Sequence, residues 1–252
     1  MNPQFQNFIS VVLPAYNEQD CITKSVSDAV AYLATAFARH EVIVVDDGSR
    51  DRTAALVTEL AREHASVRLI SHAANQGYGR AIATGFAAAK GDLVFFTDSD
   101  NQFDIREISD LMPLLAQADA VFGFRVYRFD SVLRCILSWI YNRLVRILFR
   151  VKVRDVDCSF KLFTRPVVDR LVIESKDFFV DTEMVARTRK LGFRIVEKGV
   201  RHYPRTAGHT TVRASDIPRT LKTVARMWLR INFPPRAERP AAAAGSDAPQ
   251  VR

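Results

Sequence analysis

Short apolar runs alternate with stretches of helical periodicity along the first half of the chain. Residues 9–13, 41–45, 67–71 and 93–96 read as buried strands. Between them, residues 20–40 carry Ile22, Val26, Val30, Leu33 and Phe37 at helical spacing. Residues 51–64 read as a second helix with Ser49 or Asp51 as N-cap, and residues 79–90 as a third, stopped by Gly91. Strands alternating with helices predict parallel βαβ units, hence an α/β fold with an open, mostly parallel sheet and helices on both faces.

The second half is less regular. Residues 105–116 and 120–124 continue the helix–strand alternation, and residues 131–150 form a long amphipathic helix. A helix over 181–191, a strand over 194–203 and a helix over 216–231 complete the pattern. From residue 233 the chain turns to Pro234-Pro235, an alanine run and Gly245-Ser246, which have little to bury. The expected organisation is one domain over 1–232 and a disordered tail over 233–252. No apolar run is long enough to cross a bilayer, and residues 1–6 lack the basic and apolar regions of a signal peptide. A cytoplasmic body is therefore expected. Cys21, Cys135 and Cys158 are far apart and fit neither a disulfide framework nor a zinc site.

In open α/β sheets, ligands bind beyond the carboxyl ends of the strands. Residues 14–18, 46–49 and 98–102 all fall there. The sharpest of these segments is Thr97-Asp98-Ser99-Asp100-Asn101-Gln102, which closes a strand. Strand geometry would send Asp98 and Asp100 to one face. Two adjacent carboxylates repel unless a cation sits between them, and Mg²⁺ takes one or two carboxylates plus phosphate oxygens. The pair thus points to a nucleoside diphosphate. Taken alone it is equally a strand-end turn rich in Asp and Asn. Acids at several tips of one sheet edge favour the ligand reading.

The net charge is +8 and the sequence pI is about 9.7. A phosphorylated substrate, an anionic membrane face or nucleic acid would each match this excess. No helix-turn-helix, zinc-finger or RNA-binding signature accompanies it, so nucleic acid is not an expected partner.

The motifs V-L-P-A-Y-N-E, V-V-D-D-G-S-R-D-R-T, N-Q-G-Y-G-R-A and D-S-D-N-Q together resemble family-2 glycosyltransferases with the GT-A fold. Farther on, Gly123-Phe124-Arg125, Arg134 with Ser138, Arg154-Asp155 leading to Ser159-Phe160-Lys161, and Arg205 with Gly208 resemble the polyprenyl-phosphate sugar synthases, which include dolichyl-phosphate mannosyltransferase. The similarity spans roughly residues 8–232.

This resemblance implies roles residue by residue. Pro14, Tyr16, Glu18, Val45 and Asp47 would surround the nucleoside. Asp98, Ser99 and Asp100 would approach the diphosphate, and Asp100 and Gln102 would ligate Mg²⁺ or Mn²⁺. Arg125 and Arg205 would meet phosphate charge at the reaction centre, so that Asp98, Asp100, Arg125 and Arg205 form the catalytic set. Arg125, Arg134 and Ser138 would hold the acceptor phosphate. One departure stands out: the family's Ser-Lys after the glycine is Thr210-Thr211 here, with Arg213 two residues beyond. The implied reaction is inverting transfer of a hexose from GDP-mannose or UDP-glucose to a polyprenyl phosphate.

Chemistry fits that implication. A phosphate nucleophile is already anionic at neutral pH, its second pKa being about 6, and needs cations more than a general base. Arg125, Arg134, Lys161 and Arg205 would supply them. For a hydroxyl acceptor, Asp181 or Glu183 would be the base, although both also read as the polar first turn of a helix. His202 reads as structural, while His209 lies where it could approach a substrate.

The membrane question rests on residues 131–150. Leu133, Ile136, Leu137, Ile140, Leu144, Ile147 and Leu148 share one side of the helix; Arg134, Ser138, Asn142, Arg143, Arg146 and Arg150 share the other with Trp139 and Phe149. The pattern suits a helix lying on a membrane surface and equally one packed on the sheet. The resemblance favours the former, with the protein peripheral on the cytoplasmic face. Two rivals remain open: transfer to a hydroxyl acceptor, and a catalytically silent nucleotide-binding or membrane-scaffold protein.

Overall fold

The computed structural model describes residues 4–126, 132–204 and 217–233. Its elements are β1 (Phe5–Ala15), α1 (Ile22–Ala36), β2 (Phe37–Asp46), α2 (Thr53–Glu63), β3 (Val67–Ser71), α3 (Tyr78–Ala88), β4 (Leu93–Thr97), α4 (Ile108–Leu111), β5 (Ala120–Arg125), α5 (Val132–Leu148), β6 (Phe160–Thr164), α6 (Arg165–Arg170), α7 (Val180–Lys190), β7 (Ile195–Val200) and α8 (Ile217–Asn232).

Seven strands form one sheet in the order β3-β2-β1-β4-β6-β5-β7. All pairings are parallel except those of β6, which runs antiparallel to both β4 and β5. The pleat divides the core. Val11, Leu13, Val42, Val44, Phe95 and Leu162 face α1, α2 and α4. Val12, Ile43, Val45, Val94, Phe96 and Phe163 face α3, α5, α6, α7 and α8. Successive residues thus point to opposite layers, and both are apolar because both faces are covered. That is why β1, β2 and β4 read as continuous apolar runs.

The structure corrects several expected boundaries. The helix predicted over 20–40 stops at Ala36, and Phe37 begins β2. Phe37 pairs with Phe5 in the ladder and packs ring to ring with it at 5.0 Å. Tertiary pairing therefore overrides the helical spacing of Phe37. The helix predicted over 105–116 is a 3₁₀ turn, a single α-turn and another 3₁₀ turn. Pro113 lacks the N–H that would continue an α-helix there. The strand predicted over 194–203 is confined to Ile195–Val200.

β6 was not anticipated at all. Lys161 interrupts its apolar run, yet that side chain is fully buried and bonds to Asp181 and to the Cys158 carbonyl. No helix among the described residues is long and apolar enough to cross a membrane. Beyond Phe233, the predicted tail lies outside the described residues.

Candidate active site

The carboxyl ends of β1, β2 and β4 meet at one rim. The Asp47 N–H donates to Ala15 O at 2.9 Å, and Ser99 Oγ donates to Pro14 O at 2.9 Å. Asn17, at φ 55°, turns the chain after β1, a conformation asparagine tolerates better than most residues. Its N–H donates to Ser49 Oγ at 2.9 Å, and its Oδ1 accepts from the Arg50 N–H at 2.8 Å. The Glu18 N–H donates to Thr53 Oγ1 at 2.9 Å. Tyr16 is left 39% exposed on this rim.

Val45 and Asp47, two of the expected nucleoside contacts, are both buried. Val45 is fully buried in the layer beneath α3, so its side chain does not reach the rim. Asp47 is 3% exposed. It accepts from the N–H groups of Gln76 (2.9 Å) and Gly77 (2.8 Å), and His72 Nδ1 lies 2.7 Å from its Oδ1. His72 donates there in the tautomer that leaves Nε2 to accept from Thr84 Oγ1 at 3.0 Å. A carboxylate offers about four acceptor sites, so three donors leave it little further capacity. Asp47 therefore shapes the Gln76–Gly77 turn. Gly77 is required there: at φ +102° its backbone is left-handed, and a Cβ would sit 2.1 Å from Lys176 O.

Asp98 and Asp100 converge, though not through strand geometry. β4 ends at Thr97, and Asn101 at φ 60° bends the chain beyond it. Ser25 Oγ donates to Ser99 O at 2.7 Å and lies 2.9 Å from Asn101 Oδ1, while Asn101 Nδ2 donates to Cys21 O at 3.1 Å, so α1 fixes the bend. The Asp98 carboxylate accepts from Tyr78 Oη at 2.6 Å on one oxygen and from Ser159 Oγ at 2.5 Å on the other. Asp100 is 9% exposed and accepts from the Gln102 N–H at 3.1 Å. Burial first, then the Asp100 charge, push the Asp98 carboxyl up to about 7, against the pull of its two hydroxyl donors. Such a strained acid pair is what a divalent cation relieves, and Asp100 with the Gln102 amide supplies oxygen donors for one. No group of three or more His, Cys, Asp or Glu side chains among the described residues forms a full protein cage.

Gln102 also ties the far end of the sheet to the rim. Its Nε2 donates to Tyr203 O at 3.0 Å, and the Tyr203 N–H donates to Gln102 O at 2.8 Å. Arg205, two residues on, lies outside the described residues, as do His209 and Thr210-Thr211. The Arg125 guanidinium is gripped by Asp155, Nε to Oδ2 at 2.6 Å and Nη2 to Oδ1 at 2.7 Å. Burial opposes its charge, and Asp155 outweighs burial, so its pKa is raised. One segment, 155–161, thus holds both Arg125, through Asp155, and Asp98, through Ser159.

Lys161 is not available to a substrate, because it is sealed in its pair with Asp181. Asp181 and Glu183 are structural. The fully buried Glu183 accepts from the N–H groups of Glu174 (3.1 Å) and Ser175 (2.8 Å) and from Arg187 Nε (2.8 Å). His202 packs edge-on against Phe103 at 5.1 Å.

On α5, Arg134 is placed by backbone alone. In the predicted stripe of Arg134, Ser138 and Asn142, Asn142 Nδ2 donates to Ser138 O at 2.9 Å. Asn142 is 7% exposed and accepts from the Val156 N–H at 2.8 Å, so it anchors the 155–161 segment. Val145 and Phe149 pack inward, while Trp139, Ile140 and Ile147 stand 69%, 51% and 62% exposed. Of the apolar side read from the sequence, Ile140 and Ile147 face away from the sheet, while Leu144 is half-buried and Leu148 packs against the core. In the sequence, Tyr78 and Asp155 stand out only as members of longer motifs. Nothing local in the sequence marks them as holders of Asp98 and Arg125.

Residues 10–172 match the model for Glycosyl transferase family 2. The chain is 35% identical over 246 residues to Glycosyltransferase AglD of Haloferax volcanii, covering 92% of this chain and 38% of that protein. It is 30% identical over 220 residues to the dolichyl-phosphate beta-glucosyltransferase of Dictyostelium discoideum, covering 79% of this chain and 67% of that protein. The chain therefore spans well under half the length of AglD. Among solved structures, glucosyl-3-phosphoglycerate synthase from Mycobacterium tuberculosis, in complex with Mn²⁺ and UDP-glucose, matches with TM-score 0.66 at 23% identity, over 91% of this chain and 81% of that one. That likeness establishes the GT-A type of fold.

Proposed function

The chain belongs to glycosyl transferase family 2, and from that premise we propose that it transfers a hexose, with inversion, from GDP-mannose or UDP-glucose to a polyprenyl phosphate. Mg²⁺ or Mn²⁺ is the proposed cofactor, and the cytoplasmic face of a membrane the proposed place of action. The observation that carries the reading is the convergence of Asp98 and Asp100 at the β4 tip with the gripped Arg125 at the β5 tip. The two are bridged by the 155–161 segment.

In this reading the nucleoside lies along the rim near Tyr16 and Glu18, and the diphosphate at Asp98 and Asp100. Asp100 and Gln102 would hold the cation, which would supply charge stabilisation to the leaving diphosphate. Arg125 is fixed in orientation by Asp155, so it presents its charge without reorganisation as the transition state forms. The acceptor phosphate arrives as an anion and needs no base. Both bases nominated for a hydroxyl acceptor are engaged, Asp181 with Lys161 and Glu183 with Arg187, which weakens that rival.

The exposed Trp139, Ile140 and Ile147, interleaved with Arg143 and Arg146, support α5 as the surface that meets lipid. The relative named a dolichyl-phosphate beta-glucosyltransferase supports a polyprenyl-phosphate acceptor. The structural neighbour holding Mn²⁺ and UDP-glucose supports a metal and a nucleotide sugar. Asp100→Ala tests the site: transfer is expected to vanish while the unfolding transition is retained. Undiminished turnover would exclude Asp100 from the metal site.

A further inference from the structure

We propose that Tyr78 and Ser159 are positioning residues that clamp the Asp98 carboxylate from opposite sides and fix it for binding the donor diphosphate. The inference rests on the donor reading above and deepens it.

The geometry is a two-sided grip. Tyr78 opens α3 and Ser159 immediately precedes β6. They lie 20 residues before and 61 residues after Asp98. Tyr78 Oη donates to Oδ1 at 2.6 Å, and Ser159 Oγ to Oδ2 at 2.5 Å. Both are short O–H···O hydrogen bonds. An unrestrained Asp turns broadly about its terminal torsion. One donor on each oxygen removes that freedom, and each oxygen keeps acceptor capacity for a ligand.

Both clamping groups are themselves fixed. Tyr78 follows Gly77, whose N–H is held by Asp47. Its ring lies 5.3 Å from that of Phe178 and 6.3 Å from that of Phe96. Ser159 is 4% exposed and sits between Cys158, fully buried, and Phe160, whose ring meets that of Phe95 at 4.6 Å. Each hydroxyl ends on the one carboxylate. The clamp thus links the turn shaped by Asp47 to the segment that grips Arg125. A shift of either would swing Asp98 away from the rim.

The test uses the full chain and two defined probes, UDP with Mn²⁺ and GDP with Mn²⁺, titrated calorimetrically with and without the metal. Tyr78→Phe and Ser159→Ala each delete a hydroxyl and little volume. Each is expected to weaken metal-dependent binding of the preferred probe by roughly tenfold. Metal-free binding and the thermal unfolding midpoint should stay near wild type. Ser159→Thr, which keeps the hydroxyl, should restore binding. In turnover assays the donor KM should rise and the acceptor KM hold. Metal-dependent affinity unchanged in both deletions, or lost only in step with metal-free affinity and the unfolding midpoint, would overturn the clamp while leaving the donor reading intact. A wild-type protein that binds neither probe would overturn both together.

Discussion

Arg125 and Asp155 form a two-point ion pair in which the side chains are 12% and 9% exposed. The pair sits where β5 ends, and Asp155 also lies 3.3 Å from the Arg125 N–H. A guanidinium held at two points keeps its plane as well as its position. On the proposed function the pair joins stability to activity: the contact that compensates two buried charges would also hold Arg125 in place for phosphate charge. Asp155→Ala would leave Arg125 buried without its partner. A loss of about 3 kcal/mol of unfolding free energy is expected, measured by denaturant titration, together with a marked fall in turnover. Arg125→Lys should keep the charge, lose the two-point grip and fall in turnover more than in stability. Full turnover in Asp155→Ala would show that Arg125 needs no such support.

Lys161 and Asp181 make the second buried pair, linking β6 to α7. Both are buried, so the pair is expected to matter for folding first, although the Asp181 charge also helps to raise the Asp98 carboxyl. Lys161→Met should cost about 3 kcal/mol by stranding Asp181. Adding Asp181→Leu should recover much of that loss, since a buried ion pair can be replaced by apolar packing with little net change. Denaturant curves of the two variants decide this. A double variant no more stable than the single would assign Asp181 a role beyond neutralising Lys161.

The fold was legible where burial on both faces makes a strand uniformly apolar, as in Val11-Val12-Leu13 and Val42-Ile43-Val44-Val45. The acidic tips were legible for the same reason, since they follow directly on those runs. β6 was hidden because its central Lys161 reads as polar, and the partner that neutralises it lies on another element. The clamp on Asp98 was hidden likewise: Tyr78 and Ser159 reach it only through tertiary folding, and no periodicity encodes a contact of that kind. Asp47 shows the converse, a residue whose motif implies ligand contact but whose oxygens are taken up by Gln76, Gly77 and His72. On α5 the inward side is formed by Asn142, Val145 and Phe149, two of which the sequence reading set opposite the apolar side.

Asp157 gives a pH dependence. Burial, then the charges of Asp155 and Asp181, raise its carboxyl to about 7 from the ordinary 3.8. Between those two values the folded chain binds the proton more tightly than the unfolded chain. Stability from this group is therefore fully present below the lower value and is lost as pH rises through the upper one. Asp157→Asn removes the cost of ionisation. The variant should be more stable than wild type at pH 8, with the gap narrowing steadily as pH is lowered toward 4. Denaturant titrations across that range measure it. A gap that stays constant, or widens on acidification, would contradict the assignment.

The outward apolar side of α5 makes a lipid-binding prediction. Ile140→Ser combined with Ile147→Ser removes two side chains that are more than half exposed. Binding to vesicles of mixed anionic and neutral lipid should weaken by about tenfold or more, while the unfolding midpoint holds. Unchanged sedimentation with vesicles would remove α5 as the lipid-facing surface.

The most direct measurement incubates the purified protein and Mn²⁺ with polyprenyl phosphate and, separately, radiolabelled GDP-mannose or UDP-glucose, then extracts into organic solvent. The account predicts that label from one of the two donors enters the organic phase, and that chelation of the metal or Asp100→Ala abolishes the transfer. Label remaining wholly in the aqueous phase with both donors, from a protein that is folded and binds vesicles, would contradict it.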